Sequence, residues 1–212
     1  MNYQNIAIDV LKSELEELKN VEKSILSQNF EKVVKKIVGC KGRILVSGLG
    51  KSGLIGKKIS ATFASVGIPS FFIHPTEAVH GDLGSFEKED LLLVLSCSGD
   101  TEEIKKVVAF CKHHGILSVS LTCNERSFLA KNCDLSIALD MKKEAIENMP
   151  IPTSSCIMML AVCDAITACV VKQKKFSKEN FYEFHSGGSI GKKIGAMIKK
   201  KKNLKNKQSK FA

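Results

Sequence analysis

None of the eight cysteines, at positions 40, 97, 111, 123, 133, 156, 163 and 169, pairs with another in a CxxC spacing. That absence excludes a zinc knuckle and a CxxC redox centre. Most of the cysteines lie inside apolar runs and read as reduced core residues. Internal repeats are also lacking. The first residues, "MNYQNIAIDVLKSELEELK", carry acids where a secretory signal has a basic stretch followed by an apolar one, so a cytoplasmic protein is expected. No apolar run reaches the roughly 20 residues of a membrane span. The strongest, Cys156 to Val171, has Asp164 near its middle, and a central Asp costs about 2.5–3.5 kcal/mol on insertion. The stretch is expected to be a buried helix, with no membrane partner.

What the chain does have is 212 residues that are 44% apolar, enough to bury one core and short for two. Much of the formal charge of +10 comes from Lys199 to Lys210, which holds seven lysines and no acid. Such a run is expected to be a solvated, disordered end over 199–212, with no nucleic-acid partner. A single domain over 1–198 remains: two helices within 1–38, a sheet core over 43–140 and C-terminal helices over 153–198.

Leu11, Leu15, Leu18 and Ile25 follow the helical period, and a second helix is expected over Phe30 to Val38. After Gly39 the pattern changes to short apolar runs at 43–48, 70–74, 91–96, 116–122 and 135–139, weakly alternating as in strands covered on both faces. Helical segments lie between them: Ser52 to Val66, a short turn near Glu77, Thr101 to His114, and Ser127 to Asn132. The fold class is therefore α/β, an open five-stranded parallel sheet with helices on both faces, Rossmann-like or flavodoxin-like. Ligands of such sheets bind beyond the carboxyl ends of the strands, which singles out the loops after Ser47, His74, Ser96 and Thr122. A buried helix from about Thr153 and a short one after Gly187 and Gly188 complete the expectation.

The stretch "VSGLGKSGLIG" (46–56) admits three loop readings. A P-loop needs glycine five residues before Gly50, where Leu45 stands. A dinucleotide fingerprint fits Gly48, Gly50 and Gly53, but the acid that would hold a ribose is replaced by "FFIHP". The third reading is a phosphate cradle at a helix N-terminus, with Gly50 and Ser52 beside Lys51. A second loop, "SCSGDTEE" (96–103), supports it by placing Ser96, Ser98 and Thr101 around Gly99. Taken alone, that loop could equally be a helix cap.

The stretches "GLGKSGLIGKKISATFASVGIPSFFIHPTEAVHGDLG" (48–84) and "LSCSGDTEEI" (95–104), with "KEA" (143–145), "PTSS" (152–155), "CDA" (163–165) and "FHSGGSIGKKI" (184–194), resemble the sugar isomerase (SIS) domain family. Within that family the likeness is to the D-arabinose 5-phosphate isomerases. It implies an isomerase of D-ribulose 5-phosphate and D-arabinose 5-phosphate, feeding Kdo for lipopolysaccharide or capsule. It further implies a homotetramer with sites shared between subunits and no redox cofactor. Two departures are SGD where SGE is commoner and "HSGG" where HPGG is commoner. The CBS repeats that follow this domain in many relatives are not expected here.

Moving a carbonyl between C1 and C2 needs a base for a carbon-bound proton and a group that moves a proton between oxygens, work suited to Glu and His. The resemblance places such groups at Lys51, His80, Glu103, Glu144 and His185. His80 would move protons on oxygen and open the ring, and Lys51 would stabilise the enediolate. Glu144 would be the carbon base, with a pKa raised by apolar surroundings. Glu103 would share that duty or bind a hydroxyl, and otherwise complements a helix dipole. His185 is expected to enter a neighbour's site. His74 is expected to end a strand, and His113 with His114 a helix. No spacing demands a metal. A sister isomerase, a sugar-phosphate sensor and a scaffold are the competing readings.

Overall fold

The computed structural model describes residues 2–208. Helices α1 (Tyr3–Ile25) and α2 (Gln28–Val38) lead into an alternating series. In chain order this is β1 (Ile44–Gly48), α3 (Gly50–Ser65), β2 (Ser70–Ile73), α4 (Pro75–Val79), a 3-10 turn (Asp82–Ser85), β3 (Leu91–Leu95), α5 (Glu102–His114), β4 (Leu117–Thr122), α6 (Phe128–Asn132) and β5 (Leu135–Ala138). The chain continues through α7 (Ser154–Gln173), α8 (Lys178–Phe184) and α9 (Gly188–Gln208). The expected open parallel sheet is the one observed, with strand order β2-β1-β3-β4-β5 and every pairing parallel.

The strands read as continuous apolar runs because each side of the sheet has its own core. Ile44, Val46, Leu91, Leu93 and Leu95 pack toward α2, α3 and α7, against Val33, Phe63, Met158 and Val162. Leu45, Leu92 and Val94 point the other way, toward Ile104, Val107, Val108 and Leu129 of α5 and α6. Register at the amino end of the sheet is pinned by Asp90, which accepts from the Arg43 N–H (2.8 Å), Arg43 Nε (3.0 Å) and the Glu87 N–H (3.0 Å). Burial works against the Asp90 charge, and its bonds from Arg43 outweigh that, holding its carboxyl below the usual range.

Helix α7 is long and apolar enough to cross a membrane by composition, yet it forms the centre of the larger core. Its Met158, Met159, Val162, Cys163 and Ile166 are buried. Asp164 points away from them, half-exposed at 49%, and pairs with Lys58 Nζ at 2.6 Å.

Three expectations need correction. Helix α1 does not bury its Leu11–Leu15 stripe, which stands 59% and 58% exposed, although Leu18 and Ile25 do pack on the core. The line it turns inward is Glu17, Val21 and Ser24, in which the two polar groups find bonds across the interface. The last helix is not short: α9 has 21 residues. The lysine run expected to be disordered from 199 is helical to Gln208, since lysine is a good helix former and extending an existing helix is cheap. Residues 209–212 of that expectation lie outside the described residues.

Candidate active site

In the order β2-β1-β3 the chain reverses its direction of winding between β1 and β3, which opens a crevice at their carboxyl ends. Both glycine loops arrive there. After β1, Leu49 takes the N-cap position of α3 and offers no side-chain acceptor, and Gly50 adopts φ +58°. After β3, Thr101 takes the N-cap position of α5, and again no side chain caps the helix. Asn2, Ser27, Ser127 and Ser177 do cap α1, α2, α6 and α8. Among the described residues no side chain caps the first-turn N–H groups of the two helices that begin at the crevice, and the first turn of α3 carries no acid, whereas that of α5 carries Glu102 and Glu103. The uncapped N–H groups, with the α3 dipole behind them, suit an anion.

The loop between β3 and α5 is built by its own hydroxyls. Ser96 Oγ accepts from the Gly99 N–H at 3.1 Å and lies 3.3 Å from Thr101 Oγ1. Ser98 Oγ takes the Asp100 N–H at 3.4 Å. Asp100 Oδ1 accepts from the Phe128 N–H (3.0 Å), and Gly99 O accepts from the Leu129 N–H (3.1 Å), which ties the loop to α6. Ser96 and Gly99 are buried, whereas Ser98 is exposed. The alternative that Ser98 and Thr101 merely cap the helix finds no support in these bonds.

Glu144 lies on the same side. Its Oε2 accepts from the Thr153 N–H (2.8 Å), Thr153 Oγ1 (3.0 Å) and the Ser155 N–H (3.2 Å), so the carboxylate caps α7 from outside the helix. The raised pKa expected for it is corrected by these bonds. Burial does push its carboxyl upward, but the hydrogen bonds from Ser155 and Thr153 together carry it below the usual range. Glu144 is also near enough to disfavour the Cys97 thiolate, and Lys51 near enough to favour that of Cys156, so Lys51, Glu144 and the Ser96–Thr101 loop share one neighbourhood. Glu103 follows in the first turn of α5, half-buried, and His80 is exposed at the end of α4, beyond β2 on the same rim.

His185 does not join them within one chain. It ends α8, stacked on Phe181 at 3.9 Å. The neighbouring Phe184 and Phe176 cover Gly67, in the loop that enters β2, so this corner lies toward the opposite end of the sheet. His74 does not end a strand: β2 stops at Ile73 and His74 takes the N-cap position of α4, because Pro75 opens that helix. His113 and His114 end α5 as expected, before Gly115 in the left-handed conformation (φ +67°).

One residue escaped the sequence reading. Glu17 is 2% exposed, and its Oε2 and Oε1 accept the backbone N–H groups of Lys142 (3.0 Å) and Lys143 (3.1 Å), immediately before Glu144. The only signal was its place on the 17–21–24 helical line. Glu17→Gln removes one acceptor and points an NH2 at an N–H, so a loss of about 1–3 kcal/mol is expected. In a chain of this size that lowers Tm by roughly 2–4 °C per kcal/mol. Thermal denaturation checks it, and an unchanged Tm would refute the anchoring role.

The profile of the SIS domain matches residues 36–168. The chain is 44% identical over 177 residues to the arabinose 5-phosphate isomerase KpsF of Escherichia coli, covering 84% of this chain and 56% of that protein. It is 40% identical over 193 residues to the arabinose 5-phosphate isomerase KdsD of Francisella tularensis, covering 90% and 59%. The chain thus spans a little over half the length of these curated relatives. Among solved structures, an Escherichia coli CFT073 protein in complex with arabinose 5-phosphate superposes with a TM-score of 0.78 at 40% identity, over 87% of this chain and all (100%) of that one. A matching profile over most of the sheet core, together with a full-length structural relative of this identity, places the chain in the SIS domain family.

Proposed function

We propose that this chain is an aldose–ketose isomerase that interconverts D-ribulose 5-phosphate and D-arabinose 5-phosphate through an enediol, a reaction that supplies Kdo. The observation that carries this reading is the pair of uncapped helix N-termini, α3 and α5, that open onto the β1–β3 crevice with the Ser96–Thr101 hydroxyls beside them. A phosphate monoester answers those N–H groups and the dipole of α3, whose first turn carries no acid. The relatives named arabinose 5-phosphate isomerases, and the one solved with arabinose 5-phosphate, favour a five-carbon sugar.

In this reading the phosphate rests on Gly50, Ser52, Ser96, Ser98, Gly99 and Thr101, and the reacting carbons reach along the rim toward Lys51 and Glu144. Glu144 takes the proton from C2 of the aldose. The C–H electron pair becomes the C1–C2 double bond, and the carbonyl pair moves onto O1. Lys51 carries the resulting enediolate charge. His80 moves a proton between O1 and O2 and opens the cyclic sugar, and Glu103 shares base duty or holds a hydroxyl. Return of the proton to C1, with O2 becoming the carbonyl oxygen, yields the ketose.

His185 is assigned to the site of another copy in a homotetramer. Its place away from the crevice and the exposed apolar side chains of α1, Ile8, Leu11 and Leu15, favour that arrangement. Residues 1–198 form the domain of this reading, which works in the cytoplasm and uses neither metal nor redox cofactor. Purified chain mixed with D-ribulose 5-phosphate in D2O is expected to produce D-arabinose 5-phosphate deuterated at C2, followed by NMR. Absence of both product and exchange at micromolar protein would overturn the isomerase. Retained binding in that case would leave the sensor.

A further inference from the structure

We propose that Cys97 and Cys123 form a redox modification site. A hydroperoxide joins them in a disulfide that deforms the phosphate-holding loop and shuts off sugar-phosphate binding, and a dithiol reductant reopens it. The effect on turnover rests on the isomerase reading, whereas the disulfide itself does not.

The two cysteines come from adjacent strands. Beyond β3 and β4 the backbones stay bonded, with the Ser96 N–H donating to Leu121 O (3.1 Å) and the Cys123 N–H to Cys97 O (3.0 Å). Residues joined this way stand roughly one strand spacing apart, about 4.8 Å, inside the about 4.4–6.8 Å that a disulfide spans between Cα atoms. Both side chains pack on the same core, and both residues are only partly buried. The two residues continue the parallel register of β3 and β4, so their side chains leave the sheet on the same face. Interaction with Cys123 holds the Cys97 thiol below the usual range while it drives that of Cys123 upward.

Cys97, on the crevice loop beside the exposed Ser98, is taken as the nucleophile and Cys123 as its resolving partner. Burial pushes the Cys111 and Cys163 thiols up to about 12 and that of Cys133 to about 11, which keeps them inert. The Cys97 thiolate attacks one peroxide oxygen; an S–O bond forms, the O–O bond breaks, and hydroxide leaves. The Cys123 sulfur then attacks the sulfenic sulfur, an S–S bond forms, and a second hydroxide leaves. The two thiol protons convert both hydroxides to water. The sulfur pair loses two electrons, and the peroxide gains them.

Cys97 stands between Ser96 and Ser98. A disulfide holds its two Cβ atoms about 3.8 Å apart, closer than the about 4.8 Å between neighbouring strands, so closing it draws this loop toward β4, which is fixed inside the sheet between β3 and β5. The hydroxyls on either side move with it. A misplacement of about 1 Å at a binding site costs on the order of a hundredfold in rate.

The sequence makes the test unambiguous. Trypsin releases Glu89–Lys105 with Cys97 as its only cysteine and His113–Arg126 with Cys123 as its only cysteine. Reduced full-length chain is treated with hydrogen peroxide, digested without reductant and analysed by mass spectrometry. In parallel, turnover of ribulose 5-phosphate and the Tm shift it induces are measured. The expected result is a linked pair of these two peptides, at least a tenfold loss of turnover, loss of the Tm shift, and recovery of both with dithiothreitol. Cys123→Ser keeps the reduced activity and ignores peroxide; Cys123→Ala, which buries no hydroxyl, repeats the test should the serine variant misfold. Peroxide-treated protein without the linked pair, or linked protein that still binds ribulose 5-phosphate, would overturn the proposal. Reduced protein that binds ribulose 5-phosphate without turning it over, and loses that binding on linkage, would refute the isomerase and leave the switch standing.

Discussion

Gly99→Ala is expected to abolish sugar-phosphate binding, weakening it at least a hundredfold, while a control change at Gly84 leaves it untouched. Gly99 has φ +70°, and a Cβ placed there would stand 2.2 Å from Ser127 Oγ, 2.5 Å from Ser127 Cβ and 2.7 Å from Thr122 Oγ1. Neither neighbour can give way. Ser127 is 2% exposed and caps α6 through the Ala130 N–H, and Thr122 is fully buried at the end of β4. The loop must therefore move and surrender the Gly99 N–H to Ser96 Oγ bond and the Leu129 N–H to Gly99 O bond. Each buried group left without a partner costs about 1–3 kcal/mol, and alanine in the left-handed region adds roughly 1–2 kcal/mol. Gly84 has open space around its Cβ position. Titration calorimetry with arabinose 5-phosphate and thermal denaturation read both effects; unchanged affinity in Gly99→Ala would remove the Ser96–Thr101 loop from the phosphate site.

How far the sequence reached depends on what kind of contact each feature required. The strands were legible because Leu91 to Leu95 are apolar on both faces, and the structure divides them between two cores. Both crevice loops were legible because glycine and hydroxyl residues cluster where strand runs end. The inward face of α1 was not. A buried Glu17 that accepts two backbone N–H groups from residues 142 and 143 is written with the same letter as a solvated glutamate, and its partners lie 125 and 126 residues away. Helix α8 begins with a capping box closed by Asn180 in place of the usual Glu or Gln, a weaker signature. The pKa of Glu144 was misjudged because apolar neighbours are visible in the sequence, whereas the Thr153 and Ser155 donors become neighbours only when α7 docks. His185 stacks on Phe181 at the far corner of the sheet, a placement with no local signature in the sequence.

Glu144→Gln should lower turnover by about 10²–10⁴-fold, the range for removal of a general base, while the protein stays folded. The two consequences separate because the amide keeps a carbonyl oxygen. That oxygen can still accept from the Thr153 and Ser155 N–H groups now bound at 2.8 and 3.2 Å, so α7 remains capped and only the charge is lost. The cap should weaken by about 1 kcal/mol, and the basicity toward carbon vanishes. The pH dependence supplies a second reading. Burial raises the Glu144 pKa, its hydrogen bonds lower it further than burial raises it, and the folded value lies below the ordinary one of about 4.3. The ionised carboxylate therefore contributes stability that is fully present above that ordinary value and is lost as pH falls through the folded one. Urea unfolding from pH 7 down to pH 3 should accordingly show the wild type losing its advantage over Glu144→Gln as the carboxylate protonates. Turnover, for its part, should hold level from pH 7 to about pH 5 as far as this group is concerned, since an acid this strong is already ionised throughout. Glu103→Gln, which leaves the α7 cap intact, is the comparator. If Glu144→Gln retains wild-type turnover while Glu103→Gln abolishes it, Glu144 is a helix cap alone and the carbon base lies on α5.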